Sequence, residues 1–406
     1  MILNYIKRKK LNNKKLNTFT LSGLIIGPIL GSGIILLPPL VYNMIGSFSL
    51  IIWGIILVLG FIFALIFGKL ATLFPGEGGV SLATKEVMGK KYQLLTSFYL
   101  ICAVFFGPVA VLIIAAKFIQ NLFPNTNLEV LALLVYLVTY LLLLSKVNFI
   151  GKLMLIVSSV ITVVFLLSSI IILLNVNQYS FTLPQISFNE FGYSLLVVFW
   201  SIVGWEVIGN YSKEVDDTKT LTKSIVFSAI VISIVYIFLA LAITLGDFPR
   251  DQEFKLVWLI EPIFGSFSNI VLATISLILC IGTLILFVGA VARLIASLKL
   301  TSYTSMHSSN NSPIGALNVL SSLYLITLFL VYLDFITLDE LVAYSDAFFI
   351  ANALIGLITA ILLFEKGFLK SASFILAILF FTILIFSNII ILSIIISLFI
   401  FTYLKK

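Results

Sequence analysis

Two carboxylic acids stand where carboxylic acids are costly. Of 17 acidic residues, Glu206 and Asp346 are the two that lie well inside long apolar runs. An ionised side chain at mid-bilayer costs about 2.5–3.5 kcal/mol on insertion scales, so an acid retained there is read first as a functional group. Glu206 stands two residues past Gly204, which interrupts its run beside Ser201. A second interruption, Gly31-Ser32-Gly33 followed by Pro38-Pro39, lies in the first apolar run. Glycine weakens a helix by about 1 kcal/mol relative to alanine. In hydrocarbon, unwound backbone is tolerated only where it is buried in protein or lines a cavity. The chemistry on offer is then that of the main chain. The half-helix after Gly33 presents free N–H groups and a positive dipole end, which attract a carboxylate. The half-helix ending near Val203 presents free C=O groups, which attract an ammonium. One of each suits the zwitterionic head of an amino acid.

Glu206 faces that site and suits a group that gains and loses a proton as access changes. Asp346, in Tyr344-Ser345-Asp346, is the second candidate for a proton or gate role. The competing readings are structural: a hydrogen bond that fixes the break for Glu206, and a bond to a neighbouring helix for Asp346. Phe199, Trp200 and Trp205 crowd the same segment, and Trp200, one turn from the break, could cap a bound ligand. No cationic side chain lies near, so the side-chain pocket is expected to be apolar and to favour neutral substrates. Gly282 and Gly289, seven residues apart on one face, fit close helix approach better than a break. Cys102 and Cys280 lie in apolar runs and are read as packing residues. With one histidine, His307, and two scattered cysteines, no zinc site of the usual ligand types assembles. No nucleophile–base pair or nucleotide loop is present. The expectation is no enzyme, no metal and no cofactor.

The elements that must position these residues follow from composition. Of the 406 residues, 61% are hydrophobic and 10% charged, against about 25% charged in a soluble domain. That excludes a soluble enzyme, a nucleic-acid binder and a disordered chain together. A spanning helix needs about 20 mostly apolar residues. Twelve runs qualify, near 18–42, 47–73, 93–121, 128–145, 150–174, 191–211, 222–245, 264–298, 315–333, 340–363, 371–386 and 388–403. They are continuous and not alternating, which argues against strands. With the start placed inside, 21 of the 24 basic residues fall on the cytoplasmic side, and Lys117, Arg250 and Lys255 remain outside. The positive-inside rule asks for this asymmetry. It predicts twelve spans with both termini cytoplasmic. The first apolar run is too long for a cleaved signal and has no small-residue cleavage site. Residues 1–17 read as a cytoplasmic basic arm, and residues 301–313 as a polar cytoplasmic connection.

The two breaks repeat at a fixed distance. Ser32 and Gly204 are 172 positions apart, and half of the 346 residues from 18 to 363 is 173. Matched breaks in helices of opposite orientation mark an inverted repeat. The predicted fold is an all-α membrane protein with a 5+5 inverted repeat. The first five-helix repeat is placed at 18–174 and the second at 175–363, with two additional helices at 364–406.

These residues carry a resemblance. Ile29-Leu30-Gly31-Ser32-Gly33-Ile34, followed by Leu36-Leu37-Pro38, resembles the span-one motif of the amino acid–polyamine–organocation superfamily. Phe74-Pro75-Gly76-Glu77-Gly78-Gly79, ending at Gly89, resembles its glycine stretch after span two. Phe199-Trp200-Ser201-Ile202-Val203-Gly204-Trp205-Glu206 is similar to its span-six motif, and Lys213-Glu214-Val215 to the acidic start of the next loop. The similarity runs through Ala292-Arg293-Leu294 and Pro313 to Tyr344 and is greatest to bacterial methionine and branched-chain amino acid exporters. It implies a leucine-transporter-type fold. It implies a carboxylate held at Ser32, Gly33 and Ile34, and an amine held by the carbonyls of Ile29, Trp200 and Val203 around Gly204. Trp200, with Trp205 beside it, corresponds to the gate, and Glu206 to a proton-linked glutamate. Two departures stand out. The loop after span six reads Asp217-Thr218-Lys219-Thr220-Leu221-Thr222-Lys223, without the usual prolines. Lys152 lies at the cytoplasmic end of span five rather than midway.

The expected function is secondary active transport of neutral hydrophobic amino acids (the methionine, leucine, isoleucine and valine class) across a bacterial cytoplasmic membrane. The expected mode is proton-coupled export by alternating access, its direction implied by the resemblance. The expected partners are the amino acid, protons and the bilayer, with the protein a monomer or homodimer. The rival readings are an uptake symporter on the same scaffold and a non-transporting membrane receptor for amino acids.

Overall fold

Long apolar segments can satisfy their backbone in lipid by bonding within each segment, and the chain does so. The computed structural model describes residues 15–176, 183–249 and 253–404. The basic arm up to Lys14, and Arg250, Lys405 and Lys406, lie outside the described residues. Among those described, extended pairing is limited to an isolated bridge between Leu16 and Val215.

In chain order the helices are α1 Thr18–Ile45, α2 Ser49–Leu73, α3 Val80–Met88, α4 Lys90–Leu122, α5 Leu128–Leu143, α6 Val147–Leu174, α7 Phe188–Phe199 and α8 Trp205–Ile208. They continue with α9 Thr218–Leu245, α10 Val257–Phe264, α11 Ser268–Leu298, α12 Ile314–Tyr332, α13 Leu338–Leu363, α14 Phe368–Ile385 and α15 Ile389–Leu404. Nine helical stretches among the described residues are long and apolar enough to cross a membrane. One of them, Thr18–Leu73, runs 56 residues and consists of α1 and α2 joined at the tight turn Gly46–Phe48. The apolar α5 and α15 are shorter, at 16 residues each.

Polar caps explain where several helices start earlier than hydropathy alone predicts. Ser187 and Glu190 form a reciprocal capping box, so α7 opens at 188 rather than 191. Thr337 and Glu340 do the same for α13. Two short elements had no counterpart among the predicted spans. One is α3, which follows the Gly76–Gly79 loop. The other is α10, which precedes α11 across the turn Gly265–Phe267.

The broken helix α1 lies at the centre, packed against α6, α9 and α11, while α4 is clasped between α11 and α13. Most of α1 is buried, without interruption from Thr20 to Ile35. Between helices that share an apolar solvent, hydrogen bonds and close packing supply the specificity. Asn352 Nδ2 donates to the Thr96 carbonyl and hydroxyl at 2.8 Å each, tying α13 to α4. Tyr99 donates to the Ile395 carbonyl at 2.8 Å, tying α4 to α15. The outer faces carry exposed Leu137, Ile156, Phe374 and Ile396. An apolar exterior of this extent belongs in a bilayer, and the protein is a multi-pass membrane protein.

Candidate functional site

The first break is centred on Gly31, whose φ of 35° and ψ of −139° depart from the helix. A positive φ costs other residues a Cβ clash that glycine escapes. Space forbids a side chain here as well, because a Cβ on Gly31 would run into the Thr283 hydroxyl. That hydroxyl occupies a telling position. In an unbroken helix the Ser32 N–H would donate to the Pro28 carbonyl. Here Ser32 N–H donates to Thr283 Oγ1 at 3.3 Å. The Pro28 carbonyl, with that of Leu279 on α11, accepts from the same hydroxyl at 3.1 Å. A side chain of α11 thus stands in the missing rung of α1.

The second break follows α7. A single tight turn covers Trp200–Ile202, Val203 is extended at ψ 133°, and Gly204 has φ 129°. Gly204 N–H donates to Glu206 Oε2 at 3.0 Å, so the carboxyl caps the amide that the break frees. Glu206 is 1% exposed, and its Oε1 has no hydrogen-bond partner among the described residues.

The two breaks meet. Trp200 Nε1 donates to Ser32 Oγ at 3.2 Å. A Cβ built on Gly204 would lie 2.9 Å from Ile29 Cγ1. Tyr236 of α9, stacked on Trp53 with ring centroids 4.7 Å apart, donates to the freed Leu30 carbonyl at 3.4 Å. Beside this junction lies a small cavity, lined on α1 by Pro28 and Ile29 and on the second break by Trp200 and Val203. Its far wall is Gly107, Pro108 and Val111 of α4, with Thr283, Leu284 and Phe287 of α11 and Phe349 of α13. The Phe287 and Phe349 rings meet edge to face at 5.4 Å. The lining carries no charged side chain. The cavity has a volume of about 20 Å³, room for about one water. An amino acid enters only if the walls part.

Three of the predicted binding residues, Ile29, Trp200 and Val203, line the cavity, and Gly204 packs on Ile29. Ser32 and Gly33 lie one layer behind, covered by Trp200 and Thr283. Ile34 and Trp205 are buried but do not line it. Asp346 is 1% exposed, and its Oδ1 has no hydrogen-bond partner among the described residues. It lies within electrostatic reach of Glu206. Neither carboxyl lines the cavity. Thr283 was missed, although a hydroxyl at the centre of an apolar run was a usable signal. So was Gly107-Pro108 in the middle of α4. Phe287 and Phe349 gave no signal among 36 phenylalanines.

The end where the basic loops gather is tied shut through residues 209–215. Tyr211 Oη lies 3.1 Å from the Ile285 and Leu286 carbonyls, and the Arg293 guanidinium sits 4.6 Å from the centre of the Tyr211 ring. Arg293 is also 3.9 Å from Glu214, whose carbonyl accepts from Leu16 N–H at 2.7 Å. Ser212 Oγ accepts from Gly76 N–H at 2.7 Å. Gly282 and Gly289 of α11 pack closely on other helices, Gly282 toward Met154 and Gly289 toward Tyr211.

A family model described as amino acid permease matches residues 16–403. The chain is 23% identical over 345 residues, 81% of each chain, to the L-methionine/branched-chain amino acid exporter YjeH of Escherichia coli. It is 22% identical over 367 residues to the amino acid permease YecA of Bacillus subtilis, an uncharacterised protein, covering 85% of this chain and 84% of that one. Among solved structures, a manganese transporter from Eremococcus coleocola shares the fold with a TM-score of 0.67 at 14% identity. That similarity covers 95% of this chain and 94% of the other.

Proposed function

The chain belongs to the amino acid permease family, and on that premise we propose that it is a secondary active transporter of neutral, hydrophobic amino acids that exports them against proton entry. That it is a transporter and not an enzyme follows from the family and from its transporter relatives. The observation that carries the substrate class is the meeting of two helix breaks, Trp200 on Ser32 and Gly204 on Ile29, beside an uncharged cavity. Main-chain N–H groups after Gly31 would hold the carboxylate, at Ser32, Gly33 and Ile34. Carbonyls of Ile29, Trp200 and Val203 around Gly204 would hold the ammonium. Val111, Leu284, Phe287 and Phe349 would enclose an apolar side chain. A charged substrate side chain would find no counter-ion there.

The proposed architecture is twelve crossings, counting α1, α2, α4 to α6, α7 with α8, α9, and α11 to α15. Residues 18–174 and 175–363 form two inverted five-helix repeats, 364–406 add two helices, and 1–17 form a basic arm. Both termini lie on the cytoplasmic face of a bacterial membrane, on the side where the basic loops gather. Glu206, buried and bonded to the break itself, is the proposed proton-coupling group, with Asp346 in its field. Trp200 and Trp205 serve as the gate. One charge falling through 100 mV supplies about 2.3 kcal/mol, which at tenfold per 1.4 kcal/mol sustains a gradient of roughly fifty-fold.

Proteoliposomes test this. Vesicles loaded with labelled leucine or methionine and given an inward proton gradient should lose label faster than vesicles without the gradient. Acceleration of uptake alone would assign the symporter reading, and no proton-dependent flux of any neutral amino acid would remove the proposal.

A further inference from the structure

Three main-chain groups at the first break already have side-chain partners in the empty site. The Pro28 carbonyl and Ser32 N–H are bridged by Thr283, and the Leu30 carbonyl is met by Tyr236. An unmet N–H or C=O buried from water costs roughly 1–3 kcal/mol, so an empty carrier gains by satisfying its own site. Thr283 does so from the cavity wall: it lines the cavity while Ser32 does not. The hydroxyl therefore stands between the place a substrate would occupy and an amide assigned above to the substrate carboxylate.

The bond is also suited to exchange. At 3.3 Å the Ser32 N–H bond is long for N–H···O, whose usual range ends near 3.2 Å. Breaking it would not strand the hydroxyl, which keeps the Pro28 and Leu279 carbonyls as acceptors. An ionised carboxylate is a stronger acceptor than a neutral hydroxyl, so it would take the amide when it arrives.

We propose that Thr283 is a placeholder. Its hydroxyl occupies Ser32 N–H in the empty carrier, yields it to the substrate carboxylate, and reclaims it on release, so the half-helix after Gly31 is held to Thr283 only when the site is empty. This rests on the zwitterion reading above. The sign of its consequence differs from that of a merely structural residue. Removing the hydroxyl leaves Ser32 N–H unpaired in the empty state but paired in the bound state. Binding should therefore tighten and release should slow.

The test compares wild type, Thr283→Val and Thr283→Ser in nanodiscs, with Thr283→Ala replacing the Val variant should that fail to fold. By calorimetry the Val variant should bind leucine about fivefold more tightly, the worth of one hydrogen bond. Its maximal transport rate should fall about as much, with the Ser variant within about twofold of wild type. Weaker binding with a parallel loss of rate, or no change in either, would overturn the placeholder role. A second measurement needs no substrate. Deuterium uptake in the peptide covering residues 28–36 should rise in the Val variant and return to the wild-type level in the Ser variant. Equal uptake in all three would refute the bridge. Wild type that binds no neutral amino acid would defeat the zwitterion reading and the placeholder role that rests on it, while the uptake comparison would still decide the bridge.

Discussion

At the residue scale, Glu206 does two things with one carboxyl. Oε2 holds the Gly204 amide, and Oε1 is left without a hydrogen-bond partner among the described residues. Glutamine keeps an acceptor for Gly204 but carries no exchangeable charge. Glu206→Gln should therefore bind substrate within about threefold of wild type, since one neutral bond replaces one charge-assisted bond. Its flux should no longer vary with pH. Binding across pH in detergent and flux in vesicles check the two halves, and an unchanged pH dependence would move the proton role toward Asp346. Glu206 and both breaks were legible in the sequence because an acid or a glycine run is conspicuous in an apolar stretch. Thr283 was not. It bridges residues 251 positions away, and a threonine in a membrane helix ordinarily just bonds back one turn, as this one also does to Leu279.

At the scale of elements, hydropathy located the long helices, and the details it missed were polar. Ser187, Asp217 and Thr337 set helix starts through hydrogen bonds that no apolar count registers. α3 was missed because nine residues are too few for a spanning signal. Asp217 gives the caps a pH signature. Its carboxyl accepts from Thr220 N–H at 2.6 Å, which holds it below the ordinary carboxylate range. A group lowered on folding stabilises fully above its unfolded value, near about 4. That contribution is lost as pH falls through the lower folded value. Amide exchange at the start of α9, corrected for intrinsic rate, should stay flat from neutral pH to about 4 and accelerate below it. Asp217→Asn should abolish the acceleration, since asparagine caps at any pH.

At the scale of the molecule, the central cavity and a recess lie on one column. The recess is lined by Ile35 and Pro39 of α1, Phe118 and Asn121 of α4, and Asn269 and Leu272 of α11. The same three helices line the cavity, so the recess leads away from the end that Tyr211, Ser212 and Arg293 tie shut. This is the geometry expected of a carrier sealed on one face. The two breaks, 172 positions apart in the sequence, meet in the structure through Trp200 on Ser32 and Gly204 on Ile29. The seal could not be read in advance, since its bonds join 16, 76, 211, 214 and 293, residues that only folding brings together.

The central claim is that opposite main-chain partial charges hold both ends of a zwitterion, and binding to purified protein tests it most directly. Calorimetry would compare the tightest-binding neutral amino acid with its amide, which lacks the carboxylate, and with its deaminated acid, which lacks the ammonium. Removing one charge-assisted hydrogen bond from a buried site costs about 1.5–3 kcal/mol, roughly 10- to 150-fold in affinity. The account predicts that both analogues bind at least tenfold more weakly than the parent. An analogue that binds as tightly as the parent would contradict it.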